Sequence, residues 1–242
     1  MKVKRAKSGL RVEFQKCLLV TVTCAIAFCS QAAQAVVKQC KHNVVVFSTN
    51  SEDATTACEA AKSATLFLKE LGLVHERQLR IEIVAKPRGE IPIRAYGCYN
   101  HRSKIVGVLS YDDCTQVALE RLPYGLALTR EMYKSFIVHE VGHAIVDENS
   151  SGRPVSRLAH ECMAYITQFG TMNHILRKRI LDRFPHLSIS SLTELSTLTY
   201  LMSPDVFAVK CYKHFIKQND KKGFINDFLI GKTKFQLQDV HP

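Results

Sequence analysis

Met132-Tyr-Lys-Ser-Phe-Ile-Val-His139-Glu140-Val-Gly-His143-Ala-Ile-Val146 is the stretch from which this chain is best read. Met132, Phe136, Ile137, Val141, Ala144 and Ile145 recur at helical spacing with no proline among them, which predicts a buried helix. Within it, His139 and His143 stand four residues apart. Helix positions i and i+4 share a face, about 5–6 Å apart, so two imidazoles placed this way can reach one ion. Glu140 projects about 100° around the axis from His139, a better place for a base acting on water than for a third ligand. The pattern is H-E-x-x-H, and the chemistry it points to is metal-assisted hydrolysis. The competing reading is a pair of core histidines bonded to backbone, with Glu140 at the surface.

Two ligands do not complete a site. In the extended pattern a glycine and a third histidine would fall at positions occupied here by Val146 and Asn149. The pattern in which Gly-Thr precedes an aspartate fails too, because Gly170-Thr171 leads to Leu176 at that place. A glutamate on a second helix remains, and Glu161 supplies it 18 residues after His143, within His160-Glu161-Cys162-Met163-Ala164-Tyr165-Ile166. Leu158, Cys162, Tyr165, Ile166 and Phe169 give this segment an apolar helical face. A carboxylate on or near that face is costly unless a metal or a basic side chain partners it.

With these residues in view, the chain resembles the gluzincin zinc metallopeptidases, whose signature is H-E-x-x-H followed by a glutamate ligand on a later helix. The resemblance spans mainly residues 130–170. It implies that His139, His143 and Glu161 are zinc ligands and that Glu140 is the general base, acting on water activated by Zn²⁺. More weakly, Asp205 to Phe215 and Gly223 to Leu229 look like the paired late helices of that group. Many members carry an aspartate four residues after the glutamate ligand, where it orients a histidine. Here that residue is Tyr165, and Asp147, four after His143, is the other candidate for the role. Tyr212, His214, Tyr165 and His160 are all open as donors to a developing oxyanion. Zincin-type peptidases hold substrate as an added strand on a sheet edge. Ile105 to Ser110 is the expected edge, its competing reading being a hairpin strand opposite Ile93 to Cys98.

The N-terminus suggests a compartment. Lys2, Lys4, Arg5, Lys7, Arg11 and Lys16 precede an apolar run from Cys17 to about Cys29, and Ala33-Gln34-Ala35 has the small-x-small form of a cleavage site. Residues 1–35 therefore read as a secretory signal peptide. The run is too short for the ~20 residues of a spanning helix, so no permanent membrane anchor is expected. Much of the formal charge of +11 lies in this leader. The remaining basic points, Arg177-Lys178-Arg179 and Lys221-Lys222, lack interleaved aromatics, so nucleic acid is not an expected partner. Of nine cysteines, Cys40, Cys58, Cys98, Cys114, Cys162 and Cys211 follow the leader. An even number in an exported chain suggests disulfides, of which neighbour pairing is the simplest pattern.

Residues 36–242 are expected to form one zincin-like domain of the α+β class. Its small N-terminal sheet draws strands from Asn43 to Ser48, Gln78 to Ala85, Ile93 to Cys98 and Ile105 to Tyr111. A helix from about Asp53 to Leu71 and a turn at Pro87-Arg88-Gly89 interrupt them. A helical C-terminal half follows: the H-E-x-x-H helix, a Glu161 helix extending to about Arg183, then Leu192 to Met202, Asp205 to Gln218 and Phe224 to Leu229. The expected protein is an exported zinc peptidase, periplasmic or secreted, acting on peptides or proteins. The alternative is a catalytically inactive, zincin-like envelope binding protein with disulfides, with or without structural zinc.

Overall fold

A computed structural model describes residues 35–84, 91 and 95–236. The signal peptide expected at residues 1–35, the Pro87-Arg88-Gly89 turn and the start of the strand expected from Ile93 lie outside the described residues, apart from Ala35.

The chain is α+β. The described residues open with β1 (Val36–Cys40) and β2 (Val44–Ser48), a hairpin turned through His42 and Asn43, both at positive φ. α1 (Ser51–Glu70) follows, its first amides satisfied by the Asn50 side chain, which accepts from Glu52 N and Asp53 N. Then come β3 (Leu79–Val84), β4 (Gly97–Asn100) and β5 (Ile105–Leu109). The remainder is helical: α2 (Tyr111–Glu120), α3 (Arg130–Asn149), α4 (Arg157–Thr171), α5 (His174–Asp182), α6 (Thr197–Met202), α7 (Pro204–Ile216) and α8 (Lys221–Leu229).

The sheet is mixed, in the order β1-β2-β3-β5-β4. β2, β3 and β5 run parallel, while β1 and β4 pair antiparallel at the two edges. α1 and α3 pack against the sheet and each other, α4 lies across α1 and α3, and α7 covers α4. α1 achieves its close packing with a row of fully buried alanines, Ala54, Ala57, Ala60, Ala61 and Ala64. α3 is apolar over most of its circumference, with Met132, Tyr133, Ile137, Val141, Ile145 and Val146 fully buried. Such a helix belongs in the middle of a domain. Its start is tied to α1 by Arg130, which pairs with the buried carboxylate of Asp53, itself accepting from Tyr111 N at 3.1 Å.

Several sequence expectations are corrected here. β1 and α2 were not anticipated. In the described part of the strand expected at Ile93 to Cys98, residues 95–98, β4 starts at Gly97, and the strand expected to reach Tyr111 ends at Leu109, where Ser110 caps α2. Ile105 to Ser110 is no edge: β5 is hydrogen-bonded on both sides, and β4 takes the free edge. The hairpin reading of β5 opposite β4 is the one that holds. The Glu161 helix stops at Thr171, because Asn173 caps a new helix through Ile175 N. Leu192 to Met202 divides into a 3₁₀ turn at Leu192–Glu194 and α6.

Two disulfides follow the neighbour pattern. Cys40–Cys58 joins β1 to α1, and Cys162–Cys211 joins α4 to α7. Cys98 and Cys114 are not joined to each other. Cys98 lies on the edge strand with its thiol directed to Tyr99 O, whereas Cys114 is buried in α2 and bonds Leu109 O. Among the described residues, no helix is long and apolar enough to cross a membrane.

Candidate metal centre

The helical phase of α3 puts His139 and His143 one turn apart, facing α4. Their Nε2 atoms lie 3.2 Å apart. Glu161 is carried on the first turn or so of α4, whose start is fixed by the Ser156 side chain accepting from Ala159 N. Helix contact is close here: a Cβ at Gly142 would sit 3.4 Å from Ala164 Cα. That approach brings Glu161 Oε2 to 3.4 Å from His139 Nε2 and 3.8 Å from His143 Nε2. Three donors about 2.0–2.1 Å from a tetrahedral zinc stand roughly 3.3–3.4 Å from one another. Two of the observed separations lie close to that triangle and the third, 3.8 Å, is wider, while two imidazoles and a carboxylate are a donor set that zinc accepts. These are the three residues that the resemblance implied, and no other such group occurs among the described residues.

The second oxygen of Glu161 is also fixed. Tyr200 on α6 donates its hydroxyl to Oε1 at 2.9 Å, and the Arg157 guanidinium sits over the Tyr200 ring at 5.2 Å. Sequence reasoning missed Tyr200, which lies 39 residues from Glu161 on a short helix with no motif of its own.

Burial and charge set the protonation of these groups. Burial, reinforced by the neighbouring His139, pushes His143 down to about 3, leaving its ring neutral with a lone pair for a metal. For Glu161 burial acts upward, but the His139 hydrogen bond and the charges of both histidines outweigh it and hold the carboxyl at about 2. His139 moves up: burial opposes its charge, and the hydrogen bond to Glu161 with the carboxylates of Glu140 and Glu161 prevails. Burial pushes Glu140 up to about 7, with the Glu161 charge adding to the shift and His139 opposing it.

His139, Glu140, His143, Glu161, Tyr165 and Tyr200 all open onto one cleft of about 920 Å³. Of the four oxyanion candidates, Tyr165 and His160 line it. Tyr212 does not, being stacked on Phe169 with centroids 5.2 Å apart, and His214 packs on Phe224 beside a separate surface pocket. Tyr165, standing where an orienting aspartate was considered, lays its ring 4.4 Å from that of His139.

Asp147 does not take the orienting role either. It accepts from Tyr99 Oη at 2.7 Å and Lys104 Nζ at 2.6 Å, with His101 Nδ1 at 3.4 Å, and so pins the end of α3 to the β4–β5 turn. Burial alone would raise its carboxyl, but these three donors hold it below the ordinary range. A depressed carboxyl stabilises the fold above its unfolded pKa of ~3.9, and that contribution disappears as pH falls through the lower folded value. Asp147→Asn is therefore expected to cost about 1 kcal/mol at pH 7, kept small by solvent at the open side of the cluster. Urea melts should show this difference shrinking as pH falls below the unfolded value of ~3.9. A difference independent of pH would sink the assignment.

No curated protein and no solved structure matches the chain. His139, His143 and Glu161, the cleft they line and both disulfides' helices fall inside residues 44–238, which match the family described as "Family of unknown function (DUF6639)", and the chain belongs to that family.

Proposed function

We propose that this protein is an exported zinc-dependent peptidase of gluzincin type. The observation that carries the reading is the convergence of His139 Nε2, His143 Nε2 and Glu161 Oε2 at separations suited to a tetrahedral ion, with Glu140 on the same cleft. Three protein ligands leave a fourth position open, the arrangement of hydrolytic rather than structural zinc. When bound there, zinc supplies Lewis acidity, polarising a carbonyl and easing the deprotonation of water.

The chain's own residues perform the rest. Glu140 takes the proton of the attacking water and returns it to the departing amide nitrogen, so one carboxylate serves as base and then acid. Tyr200 holds the far oxygen of Glu161, leaving Oε2 directed at the histidines. β4, the sheet edge bordering the cleft, is the strand beside which an extended peptide would lie, with its Tyr99 N–H already donated to Glu140. Of the four residues open as oxyanion donors, His160 and Tyr165 are the two that line the cleft. Export is supported by the leader-like N-terminus and by the two disulfides, which persist in oxidising compartments.

Metal analysis with a peptide-library digest read by mass spectrometry tests this. One zinc per chain is expected, with cleavage abolished by a chelator and restored by added zinc. A protein that binds no zinc, or that cleaves equally well in chelator, rules the reading out. Zinc without cleavage would leave a peptide-binding module.

A further inference from the structure

We infer that Gly97 is a positioning residue for Glu140, and that the absent side chain on the edge strand is the seat for the carboxylate of the base. The inference rests on the role proposed for Glu140. A Cβ built at Gly97 would lie 2.8 Å from Glu140 Cγ and 3.3 Å from Glu140 Cδ, with Gly107 O at 3.0 Å. Real Cβ atoms do not tolerate the first distance. The Gly107 carbonyl belongs to β5, which is paired on both edges, so it is held in the ladder. The Glu140 arm, a side chain bonded by the Tyr99 backbone N–H, is the part that can give way.

Glycine is not demanded here by the backbone. Gly72, Gly125, Gly152 and Gly231 are the described glycines at positive φ, and Gly97 is not among them. The requirement is therefore space, and the space is occupied by one side chain. The strand and helix are matched beyond this contact. Tyr99, two residues along and on the same face of β4, reaches Asp147, seven residues along α3 from Glu140. β4 thus follows α3 with a gap beneath the base and a long tyrosine at the helix end. Gly107 supplies a contrast from the adjoining strand. A Cβ there meets nothing nearer than Cys98 O at 3.7 Å, an ordinary contact.

A methyl group at position 97 should move the Glu140 carboxylate by about 1 Å, a misplacement that lowers turnover about 100-fold. Gly97→Ala is expected to keep its zinc, lose kcat by about that factor, and change KM less than about twofold, while Gly107→Ala keeps turnover within about twofold of wild type. The decisive readout does not depend on catalysis. Gly97→Ala should lower Tm in the wild-type background and should not do so in a Glu140→Ala background, where the arm it strikes is gone. An equal Tm loss in both backgrounds would mean that the Gly107 carbonyl is what the methyl meets, and the inference would be overturned. Wild-type kcat in folded Gly97→Ala would overturn it as well. If Glu140→Gln proves fully active, the role of Glu140 as base falls, yet the two-background melt still decides whether Gly97 seats that side chain.

Discussion

Glu140→Gln is expected to lower kcat by about 10²–10⁴-fold, the range that a positioned acid–base group contributes. The substitution keeps the shape of the arm lying over Gly97, so the seat on β4 stays filled and the helix is not disturbed. It leaves His139, His143 and Glu161 in place, so zinc content should be unchanged. What it removes is the ability to accept a proton from water and give it to the leaving nitrogen. Initial rates on a cleaved peptide, measured beside zinc stoichiometry, separate the two effects. Full turnover by a zinc-loaded Gln variant would remove Glu140 from the mechanism.

The largest stability effect is expected from opening Cys162–Cys211. Its partners are 49 residues apart, against 18 for Cys40–Cys58. Loop-closure entropy in the unfolded chain then gives about 4 kcal/mol for the first and about 3 kcal/mol for the second. Position separates them further. Cys162 adjoins Glu161 and fixes α4 to α7, so the double Ser variant should also weaken zinc binding. Cys40–Cys58 ties β1 to α1 on the side of the sheet away from β4, and its removal should leave zinc affinity unchanged. Urea melts and zinc titrations of both double variants test this. A greater stability loss from the Cys40–Cys58 pair, or equal zinc affinity in the two, would count against the assignment.

What could be read in the sequence was local. The α3 helix, the facing of its two histidines and the apolar face of α4 all follow from spacing within a few turns. What could not be read depended on neighbours distant along the chain. α2 offered little periodicity because only Cys114 and Ala118 are buried in it; Ser110 followed by Asp112 and Asp113 is a readable cap and first turn, although Ile105 to Tyr111 also reads as one continuous strand. β5 looked like a cleft edge because its sequence fits any half-buried strand, and only the sheet order puts β4 outside it. The α4–α5 break lacks proline and follows from the Asn173 cap. Tyr200 could not be found from any pattern, since its meaning comes from the carboxylate it meets across 39 residues. The convergence of His139, His143 and Glu161 was legible; the parts that hold them still were not.

The contacts of Glu161 also impose an order in time. His139, His143 and Glu161 lie within one short span, whereas Tyr200 and Cys211, which hold α4 and its carboxylate, come later in the chain. At synthesis rates of roughly 5–20 residues per second, the ribosome makes Cys211 roughly 2–10 s after Cys162. During that interval the nascent polypeptide carries all three candidate ligands without the hydroxyl or the sulfur bridge that steadies the third.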